Sequence, residues 1–273
     1  MLKKLFKYDF NSVFKYWWIA ALSSFILSVI GGGCLSLMTY ERDLPTFFYT
    51  SVSNTLGLVV IGFVVFVFLS CILVYVRFYK NFFSDEGYLT FTLPVKRSEL
   101  LNSKLLLGVA TTVLTAIVFI ADLLILFSIP FPEQVEEIFE SFFEMLSQLT
   151  VKETLYFVTY TIEFIIICLL SVLLSTQFVF GCITISSIIA KKARVLIAIG
   201  IYYGTGCVTT FVTQMFFIFG VPSVSEWLVS LQTRLFEISV ALVMLAVIAF
   251  LALICALLYA FEYWMLDRKL NLS

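Results

Sequence analysis

The chain has 273 residues, of which 62% are hydrophobic and 13% are charged, and Phe alone occurs 30 times. An ordinary soluble domain carries roughly 25% charged residues, so this sequence has too little polar surface to cover a water-soluble globule. The net charge of −1 gives no indication of an acidic partner, and we expect no binding to nucleic acid. The composition predicts a membrane protein whose main solvent is lipid.

Several classes of enzyme are excluded by missing residues. The sequence has no His, which removes the commonest general base, the H-E-x-x-H zinc site and the Ser-His and Cys-His nucleophiles. It has no G-x-x-x-x-G-K-[ST] motif to hold ATP phosphates. The six cysteines lie in apolar blocks without a C-x-x-C pair, so they are predicted to be small buried hydrophobes. We expect no catalytic residue, bound metal or cofactor on this chain.

The first 16 residues have an amphipathic pattern. Leu2, Leu5, Phe6 and Phe10 lie near one helical face, and lysines occupy the others. This pattern predicts a helix lying in the membrane interface. We expect it to be retained, because the following apolar run is too long for a signal peptide and lacks an A-x-A end.

Six apolar blocks follow, over residues 17–40, 54–76, 100–129, 156–190, 195–220 and 237–260. Each is long enough to cross a hydrocarbon core of roughly 30 Å. The sequence therefore predicts an all-α membrane protein with a single transmembrane domain over 1–273. Six spans place both termini on the same side, and the long third and fourth blocks should tilt or extend beyond the bilayer.

The distribution of Lys and Arg predicts the orientation. Of the 17 such residues, all but Arg42, Lys152 and Arg234 lie at the two termini and in the second and fourth loops. Because cytoplasmic loops carry the excess of Lys and Arg, the termini and these loops are predicted to be cytoplasmic in a multi-pass cell-membrane protein. The segment 131–154 lies outside and combines several Glu with apolar residues at helical spacing, which predicts an acidic amphipathic helix.

Two acidic residues fall within predicted spans, Asp122 in the third and Glu163 in the fourth. A carboxylate in hydrocarbon is costly unless it is paired, protonated or hydrated. One interpretation is a polar vestibule or cation pathway, at one level if the two helices are neighbours. The alternative is a structural role, with both acids hydrogen-bonded to Ser or Thr neighbours or reached by outer basic side chains.

Glycine and proline mark further features. Small residues at 31–33 and at 200, 204 and 206 predict close helix packing or a kink. The Val-Pro-Ser sequence at 221–223 predicts a break after the fifth span, followed by a short outer helix at 225–228.

The second cytoplasmic loop, residues 77–104, is longer than a minimal connection and mixes an acidic pair, a Gly, a Pro and a basic cluster. It is either a positive-inside anchor or a surface that meets a cytoplasmic partner. Its sequence FFSDEGYLTFTLPV at 82–95, followed by Lys96, Arg97 and Lys104, resembles the corresponding loop of ABC-2 type permeases, the membrane subunits of one class of ATP-binding-cassette exporters.

The resemblance implies an exporter half. Two permease chains, as a homo- or heterodimer, would act with two separate ATPase subunits that bind ATP and Mg²⁺. The second loop would form the coupling helix that docks on the ATPase. By position, this contact falls to Asp85, Glu86, Gly87 and Tyr88, while Pro94, Lys96 and Arg97 would lie at its rim. A peptide, lipid or drug-like amphiphile would be the substrate.

Two other functions compete with this one. A stand-alone secondary transporter or channel would use Asp122 and Glu163 as proton or cation sites. A membrane enzyme of lipid metabolism would need a cluster such as D-x-x-D or H-x-D near an interface, and the sequence has none.

Overall fold

A computed structural model describes residues 2–40, 45–84, 87, 95–189, 193–230 and 236–268. These residues are almost wholly helical and contain no strand, as predicted. Seven long helices are described, and they are α1 Leu2–Tyr40, α2 Thr46–Phe83, α3 Arg97–Ser128, α4 Pro132–Gln148, α5 Val151–Ile189, α6 Arg194–Ser230 and α7 Phe236–Arg268.

Five helices are long and apolar enough to cross a membrane: α1, α2, α3, α5 and the Val240–Asp267 part of α7. The chain is therefore a multi-pass membrane protein by the length and composition of its helices. Helix α6 contributes a shorter apolar stretch, Val195–Phe211, within the residues whose side chains are described. The count of six spans and the cytoplasmic termini stay predictions.

Helix α1 corrects one expectation. The first 16 residues are helical as predicted, but they continue without a break into the first span, giving one helix of 39 residues. No Gly or Pro interrupts the chain before residue 31, so nothing ends the helix at the interface. Asp9, Val13 and Trp17 on its first half are buried against the protein.

The chain forms two compact units, Met1–Phe78 with Asn102–Thr150, and Tyr79–Leu101 with Val151–Ser273. In the first unit, contacts between α1 and α3 rise together along both helices: Asp9 with Lys104, Trp17 with Thr115, and Gly32 with Ile129. Contacts between α1 and α2 run in opposite directions: Asp9 with Arg77, Trp17 with Phe66, and Gly31 with Val59. Helix α1 is therefore parallel to α3 and antiparallel to α2.

Helix α4 occupies the acidic segment. It begins with a Pro in its first turn, where the missing N–H costs no hydrogen bond, and none of its residues is buried. The predicted helix in this segment is confirmed, while its outer position stays a prediction.

In the second unit, α5 packs against α6 and α7. The Cys255 thiol of α7 lies 3.7 Å from the Leu170 carbonyl oxygen of α5, and Glu262 of α7 faces Gly181 of α5. Because both residue numbers rise together, α5 and α7 are parallel.

Two predictions about α6 are wrong. The helix continues through Pro222 to Ser230, so neither the break at 221–223 nor a separate helix at 225–228 is present. Proline is tolerated inside membrane helices, where other groups can satisfy the freed carbonyl. The glycines at 200, 204 and 206 have nothing within 4 Å of an added Cβ among the described atoms, so they make no close contact there.

Close packing does occur at Gly32 of α1. A Cβ at this position would lie 3.0 Å from the Cβ of Ile129, whereas a Cβ on neighbouring Gly33 would meet nothing within 4 Å. We expect Gly32→Val to lower the thermal unfolding midpoint in detergent, because overpacking costs about 1 to 3 kcal/mol. Gly33→Val is the matched control and should leave the midpoint near that of the wild type. Equal midpoints for the two variants would contradict this packing of α1 on α3.

Candidate functional site

A buried charge cluster joins the three helices of the first unit. Asp9 is 4% exposed and Lys104 is 3% exposed. The Lys104 ammonium donates to Oδ2 of Asp9, and the Arg77 Nε donates to Oδ1 at 3.2 Å. Each carboxylate oxygen therefore has a charged donor, from α3 and from α2.

The cluster lies at both ends of the predicted coupling loop. Arg77 and Lys104 are the first and last basic residues of the segment 77–104, and both contact the same carboxylate of α1. A buried charge is costly without its partner, so a single carboxylate fixes where α2 leaves the unit and where α3 enters it.

The loop itself is described only in part. Predicted contact residues Asp85, Glu86, Tyr88 and Pro94 lie outside the described residues. Gly87 is helical, and its N–H donates to the Ser84 carbonyl at 2.8 Å. A Cβ on Gly87 would lie 2.8 Å from the Phe82 carbonyl oxygen, closer than real Cβ atoms approach, so the position requires glycine.

The predicted rim residues Lys96 and Arg97 begin α3. The Lys96 carbonyl accepts the Leu100 N–H at 3.2 Å, which starts the helix. Arg97 Nη1 donates to the carbonyls of Leu266 and Asp267, at 3.2 and 2.8 Å, and to the Asp267 carboxylate at 2.8 Å. These are the last carbonyls of α7, where the helix dipole favours a cation. Arg97 therefore links the loop to the end of α7.

Asp122 lies in the first unit, on α3. It is 1% exposed, and neither carboxyl oxygen has a hydrogen-bond partner within the described part of the chain. The Ser24 hydroxyl lies next to this carboxyl, but it donates its hydrogen to the Ala21 carbonyl at 2.9 Å. Ser24 is therefore the neighbour that the expected structural role of Asp122 requires, and that alternative stays open beside the cation pathway.

Glu163 lies in the second unit, on α5, and is 6% exposed. Its Oε2 has no hydrogen-bond partner among the residues that are described. Both predicted intramembrane acids are thus buried as expected. Their common level stays a prediction.

Two buried acids were missed from the sequence, Asp9 and Glu262. Asp9 was assigned to an interfacial helix, although it lies four residues from Leu5 and from Val13 on the apolar face. Glu262 is 1% exposed but follows the predicted end of the last span at residue 260. Its flanking residues Phe261, Tyr263 and Trp264 were the available signal that the span continues.

No group of three or more His, Cys, Asp or Glu able to hold a metal ion occurs within the described part of the chain. No family model matches the chain, and no curated protein or solved structure matches it either.

The charge cluster predicts strong coupling between Asp9 and Lys104. Asp9→Asn alone leaves the Lys104 ammonium buried without its carboxylate partner. This variant should lower the free energy of unfolding by about 3 to 5 kcal/mol. The double variant with Lys104→Met should cost less than the sum of the single variants, because it removes both charges. Thermal or denaturant unfolding in detergent of the four proteins measures this coupling.

Arg97 and Asp267 provide the matched control pair, since both side chains are nearly half exposed. The same cycle there should give a coupling of no more than about 1 kcal/mol. Equal coupling in both pairs would show that burial of Asp9 has no special energetic role.

Proposed function

We propose that the chain is the permease subunit of an ATP-driven exporter and that it acts with a separate ATPase and a second permease chain. One observation carries the proposal. The loop whose sequence resembles the ATPase-contacting loop of ABC-2 permeases has Arg77 and Lys104 at its two ends, both held by Asp9. A loop that transmits a conformational change from an ATPase must be firmly anchored at both ends.

The length of α2 also supports a cytoplasmic contact. The helix continues to Phe83, about 10 Å beyond residue 76, where the apolar block ends. With the span ending at residue 76 as predicted, the end of α2 would lie outside the hydrocarbon, within reach of a soluble partner. A loop that served only as a positive-inside anchor would need no such extension.

Arg97 gives the loop a further connection. Its guanidinium binds the final carbonyls of α7, while Lys104, two turns further along α3, binds Asp9 of α1. Movement of the loop would then be passed to α7 through Arg97. Such a linkage suits a permease that changes conformation when ATP is bound and hydrolysed elsewhere.

The remaining parts of the proposal follow from the sequence. The chain has no P-loop, so ATP and Mg²⁺ would bind the ATPase. The excess of Lys and Arg supports a cytoplasmic position for the loop and both termini in a cell-membrane protein. A peptide, lipid or drug-like amphiphile is the substrate class that the resemblance implies.

Co-purification tests this function. The chain is co-expressed with a candidate P-loop ATPase from a neighbouring gene, and the pair should purify from mild detergent in a fixed ratio. Asp85→Ala with Glu86→Ala should reduce the recovered ATPase at least about tenfold, since losing buried interface contacts of 1.4 kcal/mol or more has that effect.

The matched control replaces a second pair of adjacent acids, Glu136 and Glu137 of α4, by Ala. This variant should retain the ATPase at the wild-type ratio. Purification of the permease chain alone, with wild type and both variants alike, would count against the exporter.

Asp122 favours a second candidate, a stand-alone secondary transporter. Its carboxyl is buried beside the Ser24 hydroxyl, and buried acids inside spans often mark ion pathways. In that case the purified chain in vesicles would transport without ATP, driven by a proton gradient. Asp122→Asn and Glu163→Gln would abolish this transport, and unchanged transport would exclude both acids.

A further inference from the structure

The packing between α5 and α7 in the second unit contains a carboxyl that the proposed function does not use. Glu262 of α7 is 1% exposed, and its side chain points at Gly181 of α5, where an added Cβ would lie 3.8 Å from Oε1. Neither of its oxygens has a hydrogen-bond partner among the described residues. An ionised carboxylate in this setting needs a compensating positive charge.

More oxygen atoms lie on the same face of α5. Gln177 and Thr184 are placed four residues before and three residues after Gly181, within about 6 Å of it along the helix axis. Gln177 is 2% exposed and its Oε1 also lacks a partner within the described chain, while Thr184 is 1% exposed. The Thr184 hydroxyl gives its hydrogen to the Phe180 carbonyl at 2.8 Å, so its lone pairs remain available.

Arg97, a basic side chain whose contacts reach α7, is not bonded to Glu262 in these contacts. Arg97 directs its guanidinium to Leu266 and Asp267, about one turn further along α7. Apart from the backbone N–H of Gly181 beside the Glu262 carboxyl, the cluster therefore presents oxygen acceptors without an identified charged donor among the described residues. Oxygen-only ligand sets suit hard cations, and a single carboxylate balances a single positive charge.

We propose that Glu262, Gln177 and Thr184 form a binding site for one monovalent metal cation, of the Na⁺ or K⁺ class, between α5 and α7. The bound cation links the two helices and replaces the hydrogen bonds that the carboxyl lacks. Gly181 leaves room for it, because any side chain there would project toward the Glu262 carboxyl. The site is independent of the coupling loop and of Asp122.

The purified chain in detergent, without ATPase, provides the test. Its thermal unfolding midpoint is measured in NaCl, KCl or choline chloride at equal ionic strength and fixed pH. We expect the midpoint to be about 3 °C or more higher in at least one metal chloride than in choline chloride, because a ligand of the folded state raises its stability. Glu262→Gln should remove this difference.

Gln177→Met keeps the side-chain length and removes one oxygen, so it should reduce the difference between the midpoints in metal chloride and in choline chloride. This variant provides the test if Glu262→Gln does not fold. Glu136→Gln, at an exposed acid of α4 in the other unit, is the control and should retain the difference. The same midpoint for the wild type in all three salts would overturn the site, as would a cation effect that persists in Glu262→Gln. A midpoint that follows pH but not the cation in the wild type, with that pH dependence lost in Glu262→Gln, would assign a proton to Glu262 and would also overturn the site. None of these results depends on the exporter function.

Discussion

The carboxylate of Asp9 is the constraint on which the first unit depends. It is buried with Lys104 on one oxygen and Arg77 on the other, so α1, α2 and α3 meet at one point. In an apolar surrounding this pairing is far more demanding than a surface ion pair, since losing one partner leaves a charge without compensation. Once this end is fixed, the parallel packing of α1 on α3 continues through Trp17 and Thr115, whose side chains hydrogen-bond at 2.9 Å.

Much of the helical fold could be predicted, because a span of apolar residues has few alternatives in lipid. The helix boundaries were harder to predict. The lysines at 3, 4 and 7 suggested an interfacial helix. Helix α1 is nevertheless continuous, and its first turns pack against the protein, where Asp9 is buried. Pro222 suggested a break, yet α6 continues through it. Local signals fail at both places because tertiary contacts or the apolar environment outweigh them.

The buried acids also divide into those that the sequence predicts and those that only the structure reveals. Asp122 and Glu163 stand out in sequence because acidic residues are rare inside apolar blocks, and both are buried. Asp9 and Glu262 lie near the ends of helices, where a charge is ordinary, so only packing distinguishes them. Their environments differ, since Asp9 has two cationic partners and the Glu262 oxygens have no hydrogen-bond partner within the described chain. Charge pairing accounts for Asp9, whereas the environment of Glu262 is the basis of the proposed cation site.

The central claim is that the loop between α2 and α3 contacts a separate ATPase while its ends are held by Asp9. Amide hydrogen exchange of the chain, with and without the ATPase, tests this contact directly. The account predicts slower exchange across residues 84–96 in the complex and unchanged exchange in α4 at Pro132–Gln148. Unchanged exchange across 84–96 in a complex that does form would contradict the account.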